Sequence, residues 1–278
     1  MIKTIIYLYP KTALAPHKYR FFNFLGSICF FLSASSVPLI ATDSTLKKSV
    51  ECSIEKLSTT YCFFVPPQDW LLASPERLSP SVEIGFIGKS RKGFCPSLNL
   101  AIEKAHISLF EYVKIVKQLH EKDRNNRWRE LGKFSTLAGE GILTEIDTKT
   151  EIGSLRLLQL ILLKNGQFYV LTAGALKEEF ASHYEEFEKA FRSLTITSNL
   201  ISCIKNEPLR IKIEEKIESL KASWLSFPKD ESSEKIFNSK EFQAKYWLPF
   251  QEFITKDFTE MGAYWQILLL KTMREEFL

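Results

Sequence analysis

The stretch from Leu155 to Thr172 restricts the fold more than any other part of the chain. Leu155 to Leu163 is almost wholly apolar, Asn165-Gly166 follows, and Phe168 to Thr172 returns as a second apolar run. A type I′ turn needs positive φ at both central residues, which Asn and Gly tolerate, so the two runs are expected to pair as a tight hairpin. Neither arm alternates polar with apolar residues. A hairpin of that kind is buried on both faces, and so requires further strands beside it and helices above and below.

The flanking sequence supplies both. Tyr61 to Val65 is an aromatic and β-branched run stopped by Pro66 and Pro67. Val82 to Ile87 alternates between Pro80 and Gly88, and Leu98 to Ile102 opens after Pro96. Each reads as a strand. Lys133 to Leu137 and Gly141 to Ile146 form another pair around Gly139, and Leu194 to Thr197 reads as a last short strand. Ser108, Leu109, Phe110 and Glu111 have the S-x-x-E pattern of a capping box, and Leu109, Val113, Val116 and His120 continue at helical spacing. Lys122 to Arg127 reads as a polar loop after that helix. Phe180, Tyr184, Phe187, Phe191 and Leu194 mark a second amphipathic helix, with Lys177, Glu178, Glu179, Glu185, Glu186 and Glu188 outward.

Thr59 to Thr197 therefore reads as α+β, a sheet covered by helices. From Pro208 onward the pattern is helical throughout. One helix is expected over Pro208 to Leu225 and a second over Ser239 to Leu248. Pro249 breaks the second and starts a third, whose stripe is Phe250, Phe253, Ile254, Met261, Trp265, Leu268 and Thr272. Asp230 to Ser233 is a polar linker between them.

Charge position separates off the N-terminus. The chain carries 37 basic and 33 acidic residues, and the whole excess of +4 lies in residues 1–41, which hold Lys3, Lys11, Lys18 and Arg20 and no Asp or Glu. This basic flank precedes an uncharged run, Phe21 to Leu32, and small residues from Ser33 to Ser36. The arrangement reads as a secretory signal or, if never cut, as an N-terminal membrane anchor. Ile28 stands where a lipoprotein signal needs a small residue, so Cys29 is not read as a lipidation site. The expected organisation is a leader over 1–41, a polar linker over 42–58, a sandwich domain over 59–199 and a helical extension over 200–278. Beyond the leader, Cys52, Cys62, Cys95 and Cys203 are open to disulfides or to roles as small buried hydrophobes.

In order, Phe64-Val65-Pro66-Pro67-Gln68-Asp69-Trp70, Pro96 to Ile102, Leu109 to Tyr112, Gln159 to Thr172 and the Tyr184/Phe187/Phe191 helix resemble the Mog/PsbP-like superfamily over about residues 59–197. The resemblance implies an α/β/α sandwich with a central antiparallel sheet. It also implies a binding or accessory role, since members include a lumenal photosystem II subunit, a Ran-binding nuclear factor and exported bacterial proteins. The helical extension has no counterpart in that core.

No motif for phosphate binding, serine hydrolysis or zinc proteolysis is present, and no two cysteines are spaced as a zinc knuckle. Cys95 and His106 are the one nucleophile and base that could be paired, though their spacing does not specify it. Two groups are candidates for a partner contact. Lys122, Arg124, Arg127 and Arg129 around Trp128 either form a solvated loop or grip phosphates or an acidic partner, whereas broad nucleic-acid binding would demand a basic field that the charge-balanced remainder of the chain lacks. Trp247, Phe250, Phe253 and Trp265 belong to a dense aromatic set that either caps an open face of the sheet or presents a docking or dimer surface. The expected function is that of an exported, periplasmic or secreted binding or accessory protein without cofactor or metal, meeting an unidentified protein partner. It would touch a membrane only through an uncut leader, and its oligomeric state is open. An enzyme of hydrolase type and a secreted effector that binds a host protein are the alternatives.

Overall fold

The computed structural model describes residues 60–89, 94–228 and 231–278. The expected leader, the linker over 42–58, Cys52 and part of the Asp230 to Ser233 linker lie outside these residues. Nine strands are described: β1 Tyr61–Phe63, β2 Leu71–Leu72, β3 Val82–Ile87, β4 Ser97–Lys104, β5 Asn126–Thr136, β6 Gly139–Thr150, β7 Gly153–Lys164, β8 Gln167–Leu176 and β9 Thr195–Thr197. Seven of them form one antiparallel sheet in the order β2-β3-β4-β8-β7-β6-β5, while β1 pairs with β9 apart from it. The hairpin that the sequence most strongly demanded, β7–β8, sits inside the sheet, with Asn165 at φ 51° and Gly166 at φ 72°. Its neighbours are β4 and β6, which explains why both arms are apolar on both faces.

One helix, α1 (Leu109–Glu121), covers one face of the sheet. Both halves of its capping box form: Ser108 Oγ accepts from the Glu111 backbone N–H at 3.2 Å, and the Ser108 backbone N–H donates to Glu111 Oε2 at 2.9 Å. Tyr112 and Val113 pack on Ala101, Ile161, Phe168 and Val170, with the Tyr112 and Phe168 rings stacked at 4.0 Å. The opposite face is lined by Leu98, Leu100, Leu158, Leu160 and Leu171. It receives Phe180, Phe187 and Phe191 from α2 (Phe180–Arg192).

The helical extension completes that second layer. It comprises α3 Glu207–Ser226, α4 Ser233–Phe237, a turn Lys240–Phe242 leading into a π-helical segment Gln243–Trp247, α5 Leu248–Asp257 and α6 Gly262–Phe277. Tyr264 lies 5.6 Å from Phe64 and 6.4 Å from Phe86, ring to ring, and Trp265 Nε1–H donates to the Leu200 carbonyl at 3.1 Å. Sandwich and extension thus share one hydrophobic core. The fold is an α+β sandwich with a central antiparallel sheet and a helical C-terminal extension.

Three boundaries differ from the sequence expectation. The helix does not end at Pro249. A proline inside a helix removes one backbone donor, and here the wider π turn just before it absorbs the loss and the chain stays helical. The stripe from Phe250 to Thr272 is instead two helices, parted by a 3-10 turn at Thr259–Met261 and by Gly262 at φ 79°. A Cβ on Gly262 would lie 3.0 Å from Val65 Cγ1 and 3.2 Å from Pro66 Cδ, so the break is also a place where the extension packs tightly on the segment after β1. Finally, β5 begins at Asn126, so the last two residues of the expected polar loop, Asn126 and Arg127, are strand.

Candidate partner-binding site

The third correction matters for function, because it moves Arg127, Trp128 and Arg129 onto β5, the long outer strand of the sheet. Successive strand residues point to opposite faces. Arg127 pairs with Asp147 and Arg129 with Glu145 on the α2 side, whereas Trp128, opposite Ile146, turns to the α1 side and packs on the edge of the α1 cluster. Lys117 of α1 lies 5.6 Å from the Trp128 ring centroid. Arg124 precedes the strand in the short connection from α1, which is shaped by the Asn125 backbone N–H donating to Asp123 Oδ1 at 2.9 Å.

The cations around this corner divide into two classes. Arg129 is paired with Glu145. Arg156 bridges to Glu145 at 3.4 Å and to Asp147 at 2.7 Å, and Lys177 reaches Asp147 at 2.7 Å. The result is a cross-strand ladder of alternating charge over β5, β6 and β7 that continues to Lys177 just past β8. The Arg156 hydrogen bond, helped by Lys177, holds the Asp147 carboxyl down at about 2. Lys133 has its own partner, Glu140, at 2.7 Å. Lys122, Arg124 and Arg127 are exposed and have no carboxylate partner among the described residues. They form the uncompensated part of the corner.

Beneath it lie polar groups that the sequence reading missed. His120, on the sheet-facing stripe of α1, is 2% exposed; burial pushes its imidazole down to about 4, and Nε2 has no hydrogen-bond partner. Trp128 Nε1 and Thr148 Oγ1 are likewise buried and unpartnered. On the same face, Asn99, Thr172, Gln159 and Thr144 stand directly opposite one another across four strands, held only by long contacts such as Gln159 Nε2–H to Thr172 Oγ1 at 3.4 Å. The available signal was one polar residue in the middle of each of several apolar runs, Gln159 above all.

The aromatic candidates of the extension are elsewhere and mostly interior. Trp265 is fully buried, and Trp247 and Phe250 are each 5% exposed. Phe253 is half-buried, 5.4 Å from Phe258 and with Lys212 Nζ 5.0 Å from its ring. Trp224, Phe237, Phe242, Trp247 and Phe277 form an aromatic nucleus inside the extension. Among the described residues no hydrogen bond, ion pair or ring contact joins this set to the arginine corner. The Cys95–His106 pairing fails on geometry, because the two flank the eight-residue strand β4 at opposite ends. At about 3.3 Å per residue they stand roughly 25 Å apart or more. Cys62, Cys95 and Cys203 are free thiols, and burial pushes that of Cys62 far up, which makes it inert. Among the described residues no helix is long and apolar enough to cross a membrane, and no cluster of side chains could hold a metal ion.

No family model matches the sequence, and no curated protein matches it. Solved structures do. LpqN of Mycobacterium tuberculosis, described as involved in cell envelope biogenesis, is similar at 13% identity over 52% of this chain and 87% of its own, with a TM-score of 0.39. The cyanobacterial PsbP of Synechocystis is similar at 10% identity over 53% and 98%, with a TM-score of 0.35. The Ran-binding protein Mog1p of Saccharomyces cerevisiae is similar at 14% identity over 48% and 89%, with a TM-score of 0.36. These neighbours have the Mog1/PsbP-like fold. At such identities the likeness concerns the fold alone.

Proposed function

We propose that the chain is a non-catalytic accessory protein, exported by its N-terminal leader, that captures an acidic segment of a protein partner at the α1–β5 corner. The observation that carries this reading is the contrast among neighbouring cations. Arg129, Lys133, Arg156 and Lys177 each form an ion pair with a carboxylate of the same chain, whereas Lys122, Arg124 and Arg127 form none among the described residues, the Asp147 opposite Arg127 being engaged by Arg156 and Lys177. Trp128, half-buried on the opposite, α1 side of the strand, adds an apolar contact beside these charges. The export half of the proposal rests on the basic, acid-free first 41 residues.

Exposed ion pairs contribute about 0.2–1 kcal/mol each. Three of them give at most about 3 kcal/mol, less than the roughly 4 kcal/mol of a millimolar complex. Charge at this corner therefore steers and selects, and further contacts must hold the partner. Cross-linking and pull-down from the native compartment should retain the partner with the wild-type chain and lose it with Arg124→Glu/Arg127→Glu. Capture should also weaken steeply between 0.05 and about 0.5 M salt, as screening shortens the reach of exposed charges. A partner that survives both the double reversal and the salt would overturn the proposal.

A further inference from the structure

If the corner takes an acidic protein segment, the geometry of β5 also says how that segment is held: we propose that it docks as an added strand along the outer edge of β5, over Asn126 to Glu130, with acidic and apolar residues alternating. β5 closes one side of the seven-stranded sheet, and the strand at the other side, β2, has only two residues. Among the described residues, no loop or helix backbone bonds to β5 beyond Asn126. An open row of main-chain donors and acceptors of this length is a template for another strand.

The register fixes which groups are offered. The Lys149 N–H donates to the Asn125 carbonyl at 3.3 Å, which makes Asn125 and Lys149 a hydrogen-bonded pair. Antiparallel pairs alternate between bonded and non-bonded. Hence Arg127 and Arg129 spend their backbone groups on β6, while both backbone groups of Trp128 and of Glu130 point outward. The register shift between Glu130 and Gly132, with Gly132 at φ 106°, turns the edge away and limits the added strand to this short stretch.

The side chains then name the occupant. A residue opposite Arg127 or Arg129 lies on their face of the sheet, where free or half-shared guanidinium groups call for carboxylates. A residue opposite Trp128 lies against the indole and is apolar. A second copy of this chain is disfavoured, because pairing β5 with β5 would set Arg127 and Arg129 against their own equivalents.

This geometry makes an asymmetric prediction. With the added strand antiparallel to β5, the residue opposite Trp128 exchanges main-chain hydrogen bonds with it, whereas the residue opposite Arg127 turns its N–H away from β5. In a capped, fluorescein-labelled Glu-Val-Glu-Val-Glu-Val peptide, the valine amides therefore bind the edge and the glutamate amides do not. Fluorescence anisotropy at low salt, with the intact mature protein, should show that N-methylation of all three valines weakens binding at least about tenfold, and that N-methylation of the three glutamates changes it less than about threefold. Equal effects of the two modifications would overturn strand addition and leave the charge-based corner standing. Binding of the unmodified peptide that is indifferent to Arg124→Glu/Arg127→Glu would instead overturn the corner itself. No binding of the unmodified peptide would overturn the docking mode with this charge pattern.

Discussion

Acidification should loosen the interface between α1 and the sheet, and His120 sets the size of the effect. Its side chain is almost wholly buried, and desolvation lowers its pKa from 6.5 to about 4. The folded chain thus keeps the imidazole neutral, whereas the unfolded chain takes up a proton once the pH drops below about 6.5. The unfolded state binds more protons throughout that window, so stability falls with falling pH. The difference is fully expressed only below the folded pKa and is nearly absent at pH 7. With 1.36 kcal/mol per pKa unit, the loss comes to about 2 kcal/mol between pH 7 and pH 5, and about 3 kcal/mol by pH 4. Asp147, held down at about 2, adds its own loss only below about pH 4 and so does not interfere at pH 5. Urea unfolding followed by circular dichroism at pH 7 and pH 5 measures the effect. His120→Leu keeps a comparable volume and removes both the titration and the unpartnered Nε2. The variant should lose less than half as much stability as the wild type on going to pH 5. Losses equal within about 0.5 kcal/mol would refute the assignment of the effect to His120.

Other perturbations read other parts of the fold. Gly262→Ala places a Cβ 3.0 Å from Val65 Cγ1 on a residue at φ 79°, and should lower stability by about 1–3 kcal/mol, measured as a shift in urea midpoint. Trp265→Ala removes a fully buried indole and its hydrogen bond to Leu200, and should cost about 3–5 kcal/mol. Because the extension shares the sandwich core, deleting residues 200–278 should leave an aggregating remainder by size-exclusion chromatography, whereas a folded monomer would contradict the shared core. Ser108→Ala breaks both hydrogen bonds that the Ser108 side chain makes with Glu111 and should cost about 1 kcal/mol, with exchange of the first-turn amides of α1 rising accordingly.

What could be read from the residues followed the range of the interaction concerned. The Asn165-Gly166 turn and the Ser108 cap are decided within four residues, and both form as read. The start of β5 was not legible, because Asn126, Arg127, Arg129 and Glu130 around the lone Trp128 carry little strand signal and are extended by their pairing with β6. The aromatic density of the extension was visible, but whether Trp265 faced Leu200 or solvent depended on contacts 65 residues apart in sequence. The unpaired state of Arg124 and Arg127 was hidden for the same reason, since it shows only when Glu145 and Asp147 are seen to be spent on Arg129, Arg156 and Lys177.

The claim that an acidic segment is captured at the α1–β5 corner is tested most directly by backbone amide chemical-shift mapping of the mature protein titrated with the Glu-Val peptide. The account predicts shifts concentrated at residues 122–130 and the last turn of α1, largest at the outward amides of Trp128 and Glu130. Shifts centred on Trp247, Phe250 and Trp265, or scattered over the surface without a focus on β5, would contradict it.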